Sequence, residues 1–155
     1  MDSVSLWFTS FEFNAGIYYI LRAIGYALVE YNAIAKIGPS LALLTLSGIG
    51  FIWWMYLWKN KFEWVTAMLY VLTLYFVMST TVHPWYLGMM VALSVLCFRI
   101  YPLIWTYLVF LSYSHYQGGH FIENYYLIGL EYVLLFGWMW WESRWNKIKG
   151  LSAGS

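Results

Sequence analysis

Long apolar segments separated by short polar breaks dominate the chain. The clearest segment extends from Ile37 to Trp58 and contains no charged residue. As an α-helix its 22 residues would reach about 33 Å, which is enough to cross the hydrocarbon core of a bilayer. The pattern therefore predicts a transmembrane helix here.

Four further apolar segments follow the first. The second covers residues 64 to about 81, and the third and fourth share residues 85–114, interrupted by Arg-Ile-Tyr-Pro at 99–102. Proline is tolerated in the first turn of a helix, so Pro102 predicts the start of the fourth. The fifth covers residues 125–141. The expected fold is all-α, a polytopic integral membrane protein with about five transmembrane helices.

Residues 14–29 are also helical in pattern, but they contain Arg22 and end beside Glu30. These charges favour an interfacial or re-entrant helix over a sixth span. Asn14 is a candidate N-cap residue, because its side chain can accept a hydrogen bond from a backbone N–H of the first turn.

The distribution of Lys and Arg predicts the orientation. With five spans, Arg22 and Lys36 fall on one side of the membrane. Six basic residues fall on the other side: Lys59, Lys61, Arg99, Arg144, Lys147 and Lys149. Cytoplasmic loops are enriched in basic residues, so the second side and the C-terminus are predicted to be cytoplasmic.

Three regions follow from this topology. Residues 1–36 form an outer-face region with the interfacial helix, and residues 37–145 form the five-span domain. Residues 146–155 form a cytoplasmic tail that ends in Gly-Leu-Ser-Ala-Gly-Ser, a composition typical of a linker.

Composition supports a membrane protein. Apolar residues make up 63% of the chain and charged residues only 10%, against about 25% charged residues in soluble domains. So few charges cannot cover an apolar core, and membrane lipid is therefore the expected partner. The net charge of +1 gives no basic face for a nucleic acid.

Arg22 is the first candidate for a binding role. Tyr18, Arg22, Tyr26 and Glu30 recur at intervals of four residues, which places them on one helix face. A guanidinium group fits phosphate oxygens in a bidentate manner, so the pattern is compatible with a phosphate ligand. An Arg22–Glu pair, or an arginine that anchors the helix at the interface, is the alternative.

His83 and Tyr86 lie in Thr80-Thr-Val-His83-Pro-Trp-Tyr86. Pro84 disfavours helical geometry at His83, so the helix is expected to break there. Non-helical backbone at membrane depth is tolerated where it is buried in protein or reached by water, which indicates a polar cavity. The imidazole could bond a sugar or phosphate, or simply a backbone carbonyl in the turn.

His115, His120 and Glu123 lie close together in sequence. Their spacing matches neither a helical His-x-x-x-His pair nor a zinc motif, and Gly118-Gly119 indicates a flexible loop. No metal site is therefore expected. Glu131 lies inside the fifth segment, where an acid should face protein and have a partner. A neutral Glu131 that ties helices together, bonded to a tyrosine or to Arg22, is the prediction.

Two stretches resemble a known family. The run Phe11-Glu-Phe-Asn14-Ala-Gly-Ile-Tyr-Tyr19 with Arg22, and the run Ser79-Thr-Thr-Val-His83-Pro-Trp-Tyr86-Leu, are similar to the C-terminal half of bacterial mannosyltransferase-like membrane proteins. These belong to the GT-C class of polyprenol-phosphate-sugar-dependent glycosyltransferases. The resemblance covers about residues 6–145 and includes Leu111-Ser-Tyr-Ser-His-Tyr116 and Glu131-Tyr132.

The resemblance implies a location in the bacterial inner membrane and a sugar donor linked to polyprenyl phosphate, bound on the outer face. It implies donor-side roles for Arg22, His83 and Tyr86, with Glu12 and Asn14 beside them.

The catalytic acid of such enzymes lies in an N-terminal half that this chain does not match, and Asp2, the sole aspartate, has no matching context. The chain alone is therefore not expected to transfer sugar. Two functions are favoured: a donor-binding module of a glycosyltransferase, or a non-catalytic subunit that packs against other membrane proteins. A small transporter or channel is the third alternative, but the sequence shows no internal repeat and only Glu131 as a clear intramembrane charge.

Overall fold

The computed structural model describes residues 14–29, 34–60, 63–112, 116–117, 120–121 and 125–148. These residues form six α-helices and a short 3₁₀-helix, and the all-α prediction is confirmed. The helices are α1 (Gly16–Val29), α2 (Ile34–Lys59), α3 (Trp64–Met78), α4 (Gly88–Leu96), α5 (Tyr101–Ser112) and α6 (Tyr125–Ile148). The 3₁₀-helix Pro84–Leu87 precedes α4, and strands β1 (Tyr116–Gln117) and β2 (His120–Phe121) pair antiparallel between α5 and α6.

Helix α3 ends at Met78, before the predicted end near Thr81. The Ser79 side chain explains the early end, because its hydroxyl donates to the Thr81 carbonyl at 3.0 Å and accepts from the Thr81 N–H at 3.2 Å. Such local bonds compete with helical ones. His83 is extended at φ −89° and ψ 150°, as the following Pro84 requires, so the predicted break is confirmed.

The turn between α4 and α5 has the geometry of a Schellman motif. The Arg99 N–H donates to the Ser94 carbonyl at 3.0 Å, and Phe98 has φ 51° at the position where glycine is usual. Helix α5 then begins at Tyr101 with Pro102 in its first turn, as predicted.

One helix of the described chain is long and apolar enough to cross a membrane. This is the part of α2 from Gly38 to Lys59, 22 residues of which the most apolar stretch is only 11% buried. The apolar helices at 64–78, 84–96 and 101–110 are shorter. Helix α6 has 24 residues, but its polar C-terminal third lowers its hydropathy. Of the five predicted spans, α2 alone thus combines the full length with the full hydropathy.

The helices pack around a core of aromatic and aliphatic side chains. Fully buried residues come from α1, α3, α4, α5 and α6: Tyr18, Leu69, Met90, Trp105 and Leu135. Many large apolar side chains nevertheless face outward, including Phe51, Trp58, Leu103, Phe110 and Val133. Exposed apolar surface on this scale is typical of a protein covered by lipid or by partner proteins.

Helix α1 runs antiparallel to α6. Its start contacts α6 at Glu131, and Arg22, further along α1, contacts Tyr125 at the first residue of α6. Glu131 lies six residues into α6, so α1 begins about 9 Å along α6 from that helix's first residue. We call the end of the bundle at which Arg22 contacts Tyr125 the groove end. The opposite end, with the α4–α5 turn, is called the turn end.

Candidate ligand groove between helices α1 and α6

A groove with a volume of about 900 Å³ lies between α1 and α6. Its walls are mostly apolar, and the described wall residues include Ile17, Ile20, Ala23, Ile128, Val133 and Phe136. Arg22 is the one charged residue among the described residues that line it. We call this feature the Arg22 groove.

The Arg22 guanidinium is surrounded by tyrosine rings. One of its Nη atoms donates to the Tyr125 hydroxyl at 2.8 Å. Its Cζ atom lies 4.9 Å from the ring centre of Tyr19, 5.9 Å from that of Tyr18 and 6.0 Å from that of Tyr125. Cation–π attraction therefore helps to fix the charge at the rim.

The sequence predicted Tyr18 and Tyr26 as the neighbours of Arg22. Tyr18 is confirmed, and Tyr26 lines the groove, half exposed. The nearest ring belongs to Tyr19, and Tyr125 joins from α6. Glu30, the alternative partner of Arg22, lies outside the described residues.

Glu131 is not among the described lining residues of the groove and is 4% exposed. Its Oε1 atom accepts from the Asn14 Nδ2 atom at 2.9 Å and from the Trp105 Nε1 atom at 3.0 Å. The predicted tie between helices is present, but these two partners differ from the tyrosine or Arg22 that the sequence indicated.

Asn14 fixes the start of α1. Its backbone has φ 52°, its carbonyl accepts from the Tyr132 hydroxyl at 3.1 Å, and its side chain bonds Glu131. Helix α1 begins at Gly16, and the Ala15 carbonyl accepts from the Tyr19 N–H at 2.9 Å, so the N-cap role of Asn14 stays a prediction. Gly16 lies against the Tyr132 ring, where a Cβ atom would overlap it.

His83 and Tyr86 do not belong to the described lining of the Arg22 groove. The His83 imidazole is 8% exposed, stacks on Trp85 with ring centres 4.3 Å apart, and meets the edge of Tyr86 at 5.2 Å. Burial lowers the pKa of His83 below its ordinary value. Tyr86 stacks on Phe76 at 6.3 Å. The structure thus places these residues in an aromatic stack and apart from Arg22.

Several predicted residues cannot be compared with the structure. Glu12, His115 and Glu123 lie outside the described residues. Within the described part of the chain, no group of three or more His, Cys, Asp or Glu residues is placed to hold a metal ion.

Four residues were not predicted from the sequence: Trp105, Tyr125 and Tyr132 at the site and Glu142 at the turn end. Tyr132 directly follows Glu131, but nothing in its local pattern shows that its hydroxyl reaches Asn14. Glu142 could have been found, because it lies 11 residues after Glu131 and therefore within about 20° of it on the helix face.

Comparison with models of protein families, with curated proteins and with solved structures finds no match.

Proposed function

We propose that this chain is a multi-pass protein of the bacterial inner membrane that binds a polyprenyl-phosphate-linked sugar in the Arg22 groove. It would act as the donor-binding module of a GT-C-like glycosyltransferase. The observation that supports this most directly is that Arg22 is the one charged residue in the described, mostly apolar lining of the groove.

The rim suits a phosphate group. The guanidinium supplies a permanent positive charge and planar N–H donors, which match phosphate oxygens. The Tyr19 and Tyr125 rings line the groove beside Arg22, and Tyr26 also lines it. Tyrosine hydroxyls can donate to a phosphate or to sugar oxygens.

The walls suit an isoprenoid chain. A volume of about 900 Å³ lies within the range of small-molecule sites, about 300–1,000 Å³. Ile17, Ile128, Val133 and Phe136 offer apolar surface but no charge. A lipid could place its phosphate at Arg22 and its first isoprene units along these walls.

A multi-pass topology is supported by the exposed apolar surface and by the distribution of basic residues. Arg22 belongs to the groove end, whereas Arg99 belongs to the turn end, and the sequence assigns most other basic residues to the same side of the membrane as Arg99. The turn end is then cytoplasmic and the groove end faces outward. The short helices α3–α5 would require local thinning of the bilayer.

The module would need a partner for catalysis. Sugar transfer requires a base for the acceptor hydroxyl, and the described residues that line the groove include no carboxylate. Glu131 is buried, is bonded to Asn14 and Trp105 and is not part of the described lining, so it would support the site without facing the ligand.

The test is native mass spectrometry of the detergent-extracted chain with added polyprenyl phosphate. Arg22→Ala should lose most of the lipid adduct, and Arg22→Lys should retain part of it because the charge remains. Arg144→Ala is the matched control, since Arg144 lies near the end of α6 that is remote from the groove and stacks on Trp140. Equal adducts in wild type and Arg22→Ala would contradict the proposal.

A non-catalytic subunit is the second candidate, and the exposure of α2 favours it. Leu43, Leu46, Phe51, Leu57 and Trp58 leave most of their surface uncovered. Another membrane protein could cover this face as well as lipid could. Co-purification of a partner at fixed stoichiometry after mild extraction would support this role, whereas a monodisperse lone chain would count against it.

A further inference from the structure

A second buried carboxylate lies at the turn end, on the same face of α6 as Glu131. Glu142 is 4% exposed and lies about 16 Å along the helix from Glu131. Its Oε1 atom accepts from the Ile100 backbone N–H at 2.6 Å. This bond joins α6 to the residue that precedes the first turn of α5.

Two polar atoms in this part of α6 have no hydrogen-bond partner in the part of the chain that the structure describes. They are the Oε2 atom of Glu142 and the indole Nε1 atom of Trp138, and both are buried. Trp138 precedes Glu142 by four residues, so the two side chains lie one turn apart on the same face. When the Glu142 carboxylate is ionised, its Oε2 atom can only accept a hydrogen bond. The Trp138 indole Nε1–H can only donate one.

This combination defines the class of ligand. An anion would be repelled by the carboxylate, and a metal cation would meet an indole N–H that cannot act as a ligand. A neutral group that both accepts and donates satisfies both atoms. Among such groups, a water molecule is small enough for a buried position.

We propose that Trp138 and Glu142 bind one water molecule, which accepts from the indole Nε1–H and donates to the Glu142 Oε2 atom. Buried waters of this kind normally make two to four hydrogen bonds. Leaving both buried groups unpaired costs more free energy than ordering one water molecule. The water would extend the link between α6 and the α4–α5 turn.

Nuclear magnetic resonance tests this with ¹⁵N-indole-labelled tryptophan in the full chain in detergent micelles. The Trp138 indole proton, assigned by its loss in Trp138→Phe, should show cross-relaxation with water. Trp105 is the internal control, because its indole donates directly to Glu131 and should show no such signal. An assigned Trp138 proton without a water signal would overturn the proposal.

A double-mutant cycle gives a second test that does not depend on spectral assignment. Trp138→Phe should lower Tm more in the wild-type background than in Glu142→Leu, because the bridge is already lost in the latter. Equal decreases in the two backgrounds would mean that no water couples the residues.

Discussion

Glu131 and Glu142 are two carboxylates on one face of one helix, equally buried, with different surroundings. Glu131 accepts hydrogen bonds from the side-chain N–H groups of Asn14 and Trp105. It thus joins α6 to the start of α1 and to α5. Glu142 accepts a backbone N–H from Ile100. In a capping box, a Glu or Gln at the third position of α5 would accept from the Ile100 N–H. That position is occupied by Leu103, whose side chain has no acceptor.

The difference shows that a buried acid in an apolar helix does not by itself indicate a ligand site. At the groove end, Glu131 binds Asn14 and so determines the position along α6 at which α1 begins. This position also determines where Arg22 contacts Tyr125. At the turn end the carboxylate completes the hydrogen bonds of a connection. Substitutions at both ends can test whether this division of roles is correct.

The largest effect is expected for Glu131→Leu. The change leaves the Asn14 amide and the Trp105 indole without their acceptor in the core, which should cost roughly 2–5 kcal/mol of unfolding free energy. Glu131→Gln keeps an acceptor oxygen at the same place and should cost much less. Unfolding in detergent would measure both. Equal losses would mean that the two hydrogen bonds contribute little.

Gly16→Ala should have the next largest effect. A Cβ atom at this position overlaps the Tyr132 ring, so α1 must move away from α6 at a cost of about 1–3 kcal/mol. Gly129→Ala is the matched control, because a Cβ atom there meets nothing within 4 Å and alanine favours the helix. The comparison fails if thermal unfolding shows the two variants equally stable.

The sequence predicted the helices far better than it predicted the contacts of the site. Long apolar runs and Pro102 specify where helices lie, because these signals are local. The pairing of Asn14 with Glu131 joins residues 117 positions apart, and nothing in either segment encodes that distance. Arg22 was found because its charge is unusual in an apolar helix, but Tyr125 was not, because it resembles the many other aromatic residues.

At His83 the backbone was easier to predict than the packing of the side chain. The proline after it correctly predicts a break, and the break in turn predicts a polar cavity. In the structure Trp85 and Tyr86 follow in a 3₁₀-helix, which brings their rings onto the imidazole. Backbone geometry was thus predictable from one proline, whereas the packing of the side chain depended on its aromatic neighbours.

Phe98→Gly at the turn end should have a smaller effect, and in the opposite direction: a gain in stability. Phe98 has φ 51° and is 87% exposed, so its side chain adds strain and little packing. Glycine should raise the unfolding free energy by about 0.5–1 kcal/mol in chemical denaturation. Asn60→Gly, at φ 43°, should gain less because asparagine tolerates this conformation. A loss of stability in Phe98→Gly would show that the ring packs on lipid or on a partner.

The smallest effect is expected at His83, and it depends on pH. Burial lowers the pKa of the folded imidazole below the usual 6.5, so the unfolded chain binds a proton more readily than the folded chain does. The contribution of His83 to stability is therefore complete above pH 6.5 and is lost progressively as the pH falls from 6.5 towards the lowered pKa. Unfolding measured between about pH 7 and 5 should show this decrease in wild type and a shallower one in His83→Gln. Identical slopes would mean that the stack on Trp85 accommodates the charged imidazole.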